Sequence, residues 1–385
     1  MDELLLIPGP TPVPRSVREA QARPMMNHRS EPFAQILREV LDGLRWLCVT
    51  QQPVLPYASS GTGALEAAVT NVLSPGDRVL ALVCGAFGDR FARIAQAYGA
   101  EVRRIDTKWG TAVPPERVGD ALERDEYRAV LVTHNETSTG VQNDLAAIAA
   151  ARKDHPALLL VDAVSSLGAI PLEMDAWGVD VVASASQKAL RCPPGVAFVA
   201  ASERAWAAHR QARMPRYYWD FSITRNALEQ RLTQTPFTPP VSLFYALQEG
   251  LRLIRDEGLP EGFARHRLLS RATRAGIEAM GLRPVAEAGC ASWAVTAVWL
   301  PEGISAGQVV GPMRDRYGIV LAGGQGQLEG KVFRIGHLGA VYPADILRCM
   351  EALERVLRSL GLAVPEAAGV RAAQRVFDEE AAGVA

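Results

Sequence analysis

Lysine is rare in this chain, and one of its lysines stands where a reactive amine could be needed. The 385 residues include four lysines, at positions 108, 153, 188 and 331, against 37 arginines. Lys188 follows a run of small residues, 181–186, which is typical of the end of a buried strand. Unlike arginine, a lysine can lose its proton inside a protein. The position therefore indicates chemistry that depends on a neutral amine.

A carboxylate and a phosphate-like cradle occupy comparable places. Asp162 ends the most apolar strand candidate, and Lys188 follows 26 positions later at the end of the next one. A buried carboxylate is costly unless a partner stabilises it. Between residues 57 and 69 the sequence YASSGTGALEAAV places glycines and hydroxyls where a strand gives way to a helix. The N–H groups of a helix start, with the hydroxyls of Ser60 and Thr62, suit a phosphate.

Together, these three features fit one cofactor. Pyridoxal phosphate needs an amine for its aldehyde, a carboxylate at its pyridinium nitrogen and donors for its phosphate. Each feature alone also has an ordinary explanation, since Asp162 could cap nearby backbone and the SGTG turn could be a plain helix start. Among the other lysines, Lys108 and Lys153 stand in polar, turn-like settings and Lys331 begins a strand beside Glu329.

Alternating strands and helices must position these residues. Strand candidates are the apolar runs 78–83, 101–106, 129–134, 157–164, 179–186 and 195–200, and helical spacing occurs at 31–47, 62–73, 88–98, 114–123 and 143–154. Continuous apolar strands joined by helices predict a mostly parallel sheet that is covered on both faces. Parallel neighbouring strands would bring Asp162 and Lys188 to one edge, where ligands bind in such sheets.

The rest of the chain predicts further parts. The stretch IPGPTPVP, 7–14, contains four prolines and is expected to be irregular. Helical patterns dominate 241–280, strands are expected near 293–300 and 331–336, and the tail after Val364 is expected to be a loose helix. The length favours two domains. We expect an arm at 1–15, a large domain at 16–258 and a smaller α+β domain at 259–385.

Composition excludes several classes of function. The net charge is −1, so no broad field would attract nucleic acid or an anionic membrane. The five cysteines are widely spaced and form no CxxC pair, which argues against a metal site and fits a reducing cytoplasm. The N-terminus does not resemble a signal peptide, and no apolar run has the length of a membrane span.

Several longer motifs resemble those of a known family. They are SGTGALEA, VDAVSSLGAIPLEMDAWGVDVVASASQKAL, TPFTPPVSLFYAL and FRIGHLG, and the resemblance runs over nearly the whole chain. The sequence is similar to the class V aminotransferases, within the fold-type I pyridoxal phosphate enzymes, and above all to their alanine–glyoxylate and serine–pyruvate or serine–glyoxylate branch. The resemblance implies a large domain with a mostly parallel seven-stranded sheet between helices. It also implies ping-pong transamination through pyridoxamine phosphate, from alanine or serine to glyoxylate or pyruvate.

The resemblance also implies roles for single residues. Lys188 would carry the cofactor and act as the base, and Asp162 would hold the pyridinium nitrogen. Arg334 would bind the substrate carboxylate, and His28 lies in a loop that the family places near the site entrance. The remaining expected cofactor contacts are Ser60, Gly61, Thr62 and Gln187 at the phosphate, Phe87 and Val164 on the two ring faces, and Thr137 near the phenolic oxygen.

The segment TPFTPP, 235–240, implies a homodimer with shared active sites. In the family this segment reaches the partner's phosphate, and Thr238 matches the hydroxyl used there. Thr235 stands where some relatives have a tyrosine.

Three alternatives are weighed against this interpretation. A ureidoglycine–glyoxylate aminotransferase uses the same framework. A cysteine desulfurase needs a cysteine shortly before the carboxylate arginine, and Cys290 lies too far upstream of Arg334. Some relatives are described as a hydrogenase subunit, which would make the protein a non-enzymatic partner.

Overall fold

A computed structural model describes residues 3–383 of the chain. Its strands are β1 (Leu4–Leu5), β2 (Val54–Ser59), β3 (Arg78–Val83), β4 (Glu101–Asp106), β5 (Ala129–Thr133), β6 (Asn135–Glu136), β7 (Val141–Gln142), β8 (Leu158–Asp162), β9 (Val181–Ala185), β10 (Gly195–Ala201), β11 (Arg283–Pro284), β12 (Val295–Trp299), β13 (Ile319–Val320), β14 (Ala322–Gly323) and β15 (Val332–Gly336).

Helices connect and cover these strands. They are α1 (Arg15–Gln21), α2 (Glu31–Leu47), α3 (Gly61–Val72), α4 (Ala86–Ala97), α5 (Pro115–Arg124), α6 (Leu145–Ala151), α7 (Glu203–His209), α8 (Phe221–Leu228), α9 (Val241–Glu257), α10 (Leu259–Ala279), α11 (Ala306–Tyr317), α12 (Pro343–Ser359) and α13 (Ala368–Ala381). Short 3₁₀ turns occur at Ala288–Cys290 and Gly326–Leu328.

A seven-stranded sheet forms the centre of the large half of the molecule. Its strand order is β2-β10-β9-β8-β5-β3-β4, and β10 runs antiparallel to both of its neighbours. The pairs from β9 through β8, β5 and β3 to β4 are all parallel. The prediction of a mostly parallel, seven-stranded sheet is therefore confirmed.

Both faces of this sheet are buried, as its uninterrupted apolar strands predict. Along β3, Leu80 and Leu82 join one core cluster with residues of α2 and α9. The alternate residues Val79 and Ala81 join a second cluster with residues of α3 and α4. The sheet thus lies between two helical layers, and its strand ends point towards solvent or ligand.

The predicted element bounds agree closely with the structure for most of this sheet. Strands β3 and β4 and helix α2 have the predicted ends, and the others differ by at most a few residues. Strand β2 has no counterpart among the strand candidates. It contains Pro56 and lies at the edge of the sheet, which is where a strand can accommodate proline.

The C-terminal part has a separate antiparallel sheet. Its order is β11-β12-β15-β14, and α10, α11, α12 and α13 contribute to its core cluster. The tail after Val364 forms α13, in which Ala372 and Ala373 are buried. The predicted boundary after residue 258 falls on Gly258, between α9 and α10. The division into an arm and two domains stays a prediction.

The proline-rich arm connects the two sheets. Strand β1 pairs with β13 in the C-terminal part, and residues 7–14 form neither helix nor strand, as predicted. The carbonyl of Leu6 accepts a hydrogen bond from the N–H of Gly336 at 2.7 Å, at the end of β15. Farther along, the N–H of Thr11 donates to the carbonyl of Gln187 at 3.1 Å. The arm therefore runs from the C-terminal sheet to the loop that follows β9.

Candidate active site

Asp162 and Lys188 lie together at the carboxyl edge of the large sheet. Asp162 is the last residue of β8, where it pairs with Thr133 of β5 on one side and Ala183 of β9 on the other. Lys188 follows β9 by three residues. Both side chains line one cavity of about 200 Å³. The parallel arrangement that the sequence predicts therefore brings the amine and the carboxylate into one site.

Most of the predicted site residues line this same cavity. They are Ser60, Gly61, Thr62, Phe87, Thr137, Asp162, Val164, Gln187 and Lys188. Its wall also contains Leu65, Arg90, Asn135 and Ser165, which were not predicted as site residues. Asn135 begins the short strand β6, which ends just before Thr137, and no pattern of side chains in the sequence indicates its place in the wall.

Burial controls the charges of the central pair. Asp162 is 5% exposed, and burial raises the pKa of its carboxyl to about 6, against a hydrogen bond of 3.0 Å from the N–H of Val164. Partial burial lowers the pKa of the Lys188 amine to about 8, opposed by Asp162 and assisted by Arg334 and Arg90. The cavity therefore favours a neutral amine more than water does.

The start of α3 presents free donors to the cavity. Ser60 is the residue before the helix, and its side chain makes no capping hydrogen bond. By contrast, Asp144, Ser202 and Asp220 each accept a hydrogen bond from the first turn of their own helices. The first N–H groups of α3 and the hydroxyls of Ser60 and Thr62 therefore remain available to an anion.

The cavity lies against the start of α3, where Gly61 and Val164 are in close contact. A Cβ atom on Gly61 would lie 2.6 Å from Cγ2 of Val164, so only glycine keeps this approach open. Phe87 lies in the same wall, with the guanidinium of Arg90 4.7 Å above its ring. Two amide oxygens of the wall, on Asn135 and Gln187, are buried without a hydrogen-bond partner among residues 3–383. These two oxygens are therefore available to hydrogen-bond donors of a bound group.

The arm closes the cavity on the side of the lysine. The Lys188 amine donates to the carbonyl of Pro8, and the hydroxyl of Thr11 donates to the carbonyl of Lys188 at 2.8 Å. Gly9 has φ of +125°, and a Cβ there would lie 2.6 Å from the amine nitrogen. Glycine is required at this position for both reasons.

Arg334 approaches the cavity from β15. It is 5% exposed, its Nε donates to the carbonyl of Gly323 at 2.8 Å, and its Nη1 donates to the carbonyl of Thr137 at 3.2 Å. Burial lowers the pKa of Arg334 to about 10, so the guanidinium stays cationic at neutral pH. Within the described part of the chain, Nη2 makes no hydrogen bond, which leaves it available to a carboxylate.

Four predicted residues do not line this cavity: Arg334, which contacts its wall through the Thr137 carbonyl, and three others. Thr235 and Thr238 line a small separate pocket with Tyr218 and Phe237, and Thr238 is exposed. His28 is partly buried and does not line the cavity. Their predicted roles stay predictions.

The cysteines do not resemble a desulfurase site. All five are free, and four of them are buried. Cys290 lies near the carbonyl of Gly110 and outside the cavity, and burial raises the pKa of its thiol. A raised thiol pKa disfavours the nucleophilic thiolate.

Known proteins are similar to this chain in sequence and in fold. Residues 16–328 match the sequence model of the family Aminotransferase class-V. The chain is 47% identical to a protein from Synechococcus sp. named soluble hydrogenase, small subunit, over 97% of this chain and 98% of that one. It is 41% identical to an L-aspartate–glyoxylate aminotransferase of Paracoccus denitrificans, covering 98% and 97%. It is also 35% identical to a serine–glyoxylate aminotransferase of Methylorubrum extorquens, covering 97% and 96%.

Solved structures give the same result. A pyridoxamine–pyruvate aminotransferase from Mesorhizobium loti superposes with a TM-score of 0.95 at 31% identity, over 99% of this chain and 98% of that one. An alanine–glyoxylate aminotransferase from Nostoc sp. superposes with a TM-score of 0.89 at 34% identity, over 93% and 96%. The topology and the family assignment therefore agree.

Proposed function

The chain belongs to the class-V aminotransferase family, and on that premise we propose that it transfers an amino group from L-alanine or L-serine to glyoxylate or pyruvate. The protein is an aminotransferase of fold type I that depends on pyridoxal 5′-phosphate and acts on an amino acid and a 2-oxo acid. The serine–glyoxylate and alanine–glyoxylate relatives support the choice of small donors.

One observation carries the proposal. The Lys188 amine and the Asp162 carboxylate line a single cavity, at the ends of adjacent parallel strands and beside the open start of α3. An amine, a carboxylate and anion donors are the groups that pyridoxal phosphate requires. Gly61 lets Val164 approach the start of α3, where Val164 can lie against one face of a flat ring.

The central pair would handle protons. When bound, the cofactor supplies an aldehyde that condenses with amines and a cationic ring that withdraws electrons from the substrate's α-carbon. The Asp162 carboxylate would hold the proton on the ring nitrogen. The Lys188 amine would take the proton from the substrate's α-carbon at its Nζ atom and pass it to the C4′ carbon of the cofactor within the same half of the exchange, and the second half would reverse this transfer. Its lowered pKa suits this work, since a base must first be unprotonated.

Surrounding residues would hold the cofactor in place. Ser60, Gly61, Thr62 and Gln187 would bind the phosphate. Phe87 and Val164 would lie against the two faces of the ring, where an aromatic side chain adds stacking energy. The hydroxyl of Thr137 would meet the phenolic oxygen.

Arg334 would bind the carboxylate that both substrates share. A charged hydrogen bond to a carboxylate is stronger in a water-poor site, and Arg334 is nearly inaccessible to solvent. His28 would lie near the entrance for the substrate.

We infer that the active enzyme is a homodimer with shared sites. Thr238 is exposed beside Tyr217 and Tyr218, whose exposed fractions are 72% and 37%. The ring of Tyr218 stacks on Phe237 at 5.0 Å. An exposed aromatic patch of this kind suits an interface. Thr238, and with it Thr235, would then serve the partner's phosphate.

The setting is proposed to be the cytoplasm, because the five free cysteines fit a reducing compartment. No helix within residues 3–383 is long and apolar enough to span a membrane. The three-part division at residues 15 and 258 is proposed on the resemblance to the family.

The test is spectroscopic and kinetic. The purified protein should show a visible absorbance band of lysine-bound cofactor, and borohydride reduction with peptide mapping should place the label on Lys188. A panel of amino donors, including alanine, serine, aspartate and ureidoglycine, should then be assayed with glyoxylate and pyruvate. A label on Lys108, Lys153 or Lys331 would contradict the site, and a wide preference for aspartate would contradict the small-donor proposal. A protein with neither band nor activity would fit a hydrogenase subunit instead.

A further inference from the structure

A second buried carboxylate lies just behind the cavity wall. Glu136 ends β6 and is 0% exposed, and no cation pairs with it among residues 3–383. Its Oε2 accepts hydrogen bonds from the N–H groups of Phe87 and Gly88, each at 2.9 Å. Its Oε1 accepts from the N–H and the hydroxyl of Ser138, at 3.0 and 2.6 Å. Four donors thus replace the water that a buried carboxylate loses.

The first pair of bonds fixes the start of α4. The residue before this helix is Gly85, which has no side chain with which to cap it. Glu136 supplies the missing acceptor from another segment, at the end of the helix where a negative charge is stabilised. A Cβ on Gly85 would lie 2.4 Å from Cδ of Glu136, so glycine is what admits the carboxylate. The main chain of Phe87 is therefore held by Glu136.

The two bonds from Ser138 fix the segment whose carbonyl, at Thr137, accepts a hydrogen bond from Arg334. Thr137 stands between Glu136 and Ser138, and its carbonyl accepts the bond of 3.2 Å from Nη1 of Arg334. The hydroxyl of Ser138 also accepts from the N–H of Ala86 at 2.9 Å, which joins this segment to α4. One carboxylate therefore connects the segment that carries Phe87 with the carbonyl that orients Arg334.

We propose that Glu136 is a positioning residue that fixes the position of the Phe87 ring relative to the Arg334 guanidinium. The inference rests on the proposed function, in which Phe87 stacks on the cofactor and Arg334 binds the substrate carboxylate. Glu136 itself touches neither substrate nor cofactor. It acts through two other residues, so its loss should weaken both binding events together.

Glu136→Gln tests this with a close isostere. The amide keeps one acceptor oxygen, while its NH₂ group faces N–H donors and cannot accept from them. We expect the dissociation constant of pyridoxal phosphate from the apoenzyme to rise about fivefold, the scale of a weakened aromatic stack. The KM values of the amino and oxo substrates should also rise about fivefold, with a smaller change in kcat, since Lys188 and Asp162 are unchanged.

Glu354→Gln is the matched control. Glu354 is 2% exposed and accepts from the N–H groups of Gly369 and Val370, at 2.8 and 3.0 Å, at the start of α13. It is the same kind of cap, and it does not line the cavity. Both variants should lower the melting temperature, and only Glu136→Gln should change cofactor affinity and KM.

The outcomes separate the proposals. If Glu136→Gln loses stability like Glu354→Gln but keeps cofactor affinity and both KM values, Glu136 is structural only and the inference is wrong. If Glu136→Gln does not fold, Ser138→Ala decides, because it removes one donor and keeps the carboxylate; unchanged cofactor affinity there also overturns the inference. Wild-type protein that binds the cofactor without transaminating contradicts the proposed function alone, since the comparison of affinities still decides the role of Glu136.

Discussion

At the scale of single residues, burial in the site shifts the pKa values of a lysine and an aspartate so that each group favours its neutral form. The pKa of Lys188 falls to about 8 and that of Asp162 rises to about 6, and burial is the largest cause of both shifts. Each shift favours the neutral form of its group. The rarity of lysine is what singles out Lys188 in the sequence, because an arginine there could not respond to burial by losing its proton.

The first prediction concerns the protonation of Lys188. Below the lowered pKa of about 8, the neutral fraction should rise about tenfold for each pH unit, and above it the fraction should level off. The rate at which apoenzyme and pyridoxal phosphate develop the visible band, measured between about pH 6 and pH 10, should follow this curve. Free Nα-acetyl-lysine is the control and should keep accelerating towards pH 10. An apoenzyme rate that does the same would show that the amine is not perturbed.

The second prediction concerns Asp162→Asn. A carboxyl whose pKa is raised by folding stabilises the protein below the unfolded pKa and loses that contribution as pH rises through about 6. At neutral pH the buried charge is therefore a cost, and the variant apoprotein should be more stable by about 1–3 kcal/mol, with a smaller gain at pH 5. Its kcat should nevertheless fall at least about a hundredfold, because an amide cannot hold the ring proton. Urea titration of the apoprotein at both pH values and steady-state assays measure the two effects. Near-normal turnover would show that Asp162 is only structural.

The third prediction concerns Arg334→Lys. The change keeps the charge but loses the planar fork and the bond to the Thr137 carbonyl. The KM values for both the amino and the oxo substrate should rise about tenfold, because both present the same carboxylate. Arg355→Lys is the control, since Arg355 forms an exposed pair with Glu351. Unchanged KM values in the first variant would place the carboxylate site elsewhere.

At the scale of elements, the sequence predicts the carboxyl ends of the parallel strands, and it misses an edge strand and a buried carboxylate. Continuous apolar runs identify buried strands, and their ends place Asp162 and Lys188 correctly. Strand β2 is not predicted, because Pro56 interrupts its apolar pattern and only an edge strand accommodates a proline there. Glu136 is not predicted as a residue of the site for another reason. Its partners are main-chain N–H groups of a distant segment, and side-chain spacing carries no information about such contacts.

The fourth prediction concerns the start of α3. Gly61→Ala would place a Cβ 2.6 Å from Cγ2 of Val164 and push Val164 towards the place proposed for the cofactor ring. We expect the dissociation constant of pyridoxal phosphate to rise at least about tenfold and the melting temperature of the apoprotein to fall, because an overpacked contact costs about 1–3 kcal/mol. The control is Gly307→Ala in α11, where nothing lies within 4 Å of the new atom. Wild-type affinity in Gly61→Ala would show that the ring lies elsewhere.

At the scale of the whole molecule, one chain holds most of a site. Nine predicted residues line the cavity, whereas Thr238 lies exposed in another pocket of the same chain. A second copy is the simplest way to bring that hydroxyl to a phosphate. We predict this arrangement from the family motif alone, because no spacing in the sequence identifies a contact between chains.

The fifth prediction tests the shared site by complementation. Thr238→Glu should place a negative charge beside the partner's phosphate and abolish cofactor binding, and Lys188→Ala should abolish turnover. Heterodimers that refold from the two inactive variants contain one site with both wild-type residues, so activity should return to about a quarter of the wild-type value, given random pairing. Thr233→Glu, five residues earlier and outside that segment, should be active by itself. A mixture that stays inactive would show that Thr238 serves its own chain, and a Thr238→Glu variant that is active by itself would show that it serves no phosphate.

The arm also turns the start of the chain into an optical reporter. Glu3 is exposed, and the five peptide units from there to Pro8 extend over at most about 18 Å, while the Pro8 carbonyl holds the Lys188 amine. A fluorophore on a cysteine at position 3 would therefore sit within energy-transfer range of any coloured group that Lys188 carries. The native thiols would compete little for the dye, since four of the five are buried. The fluorescence of a dye at position 3 would then report, in real time, the changes in absorbance of the group on Lys188 during turnover.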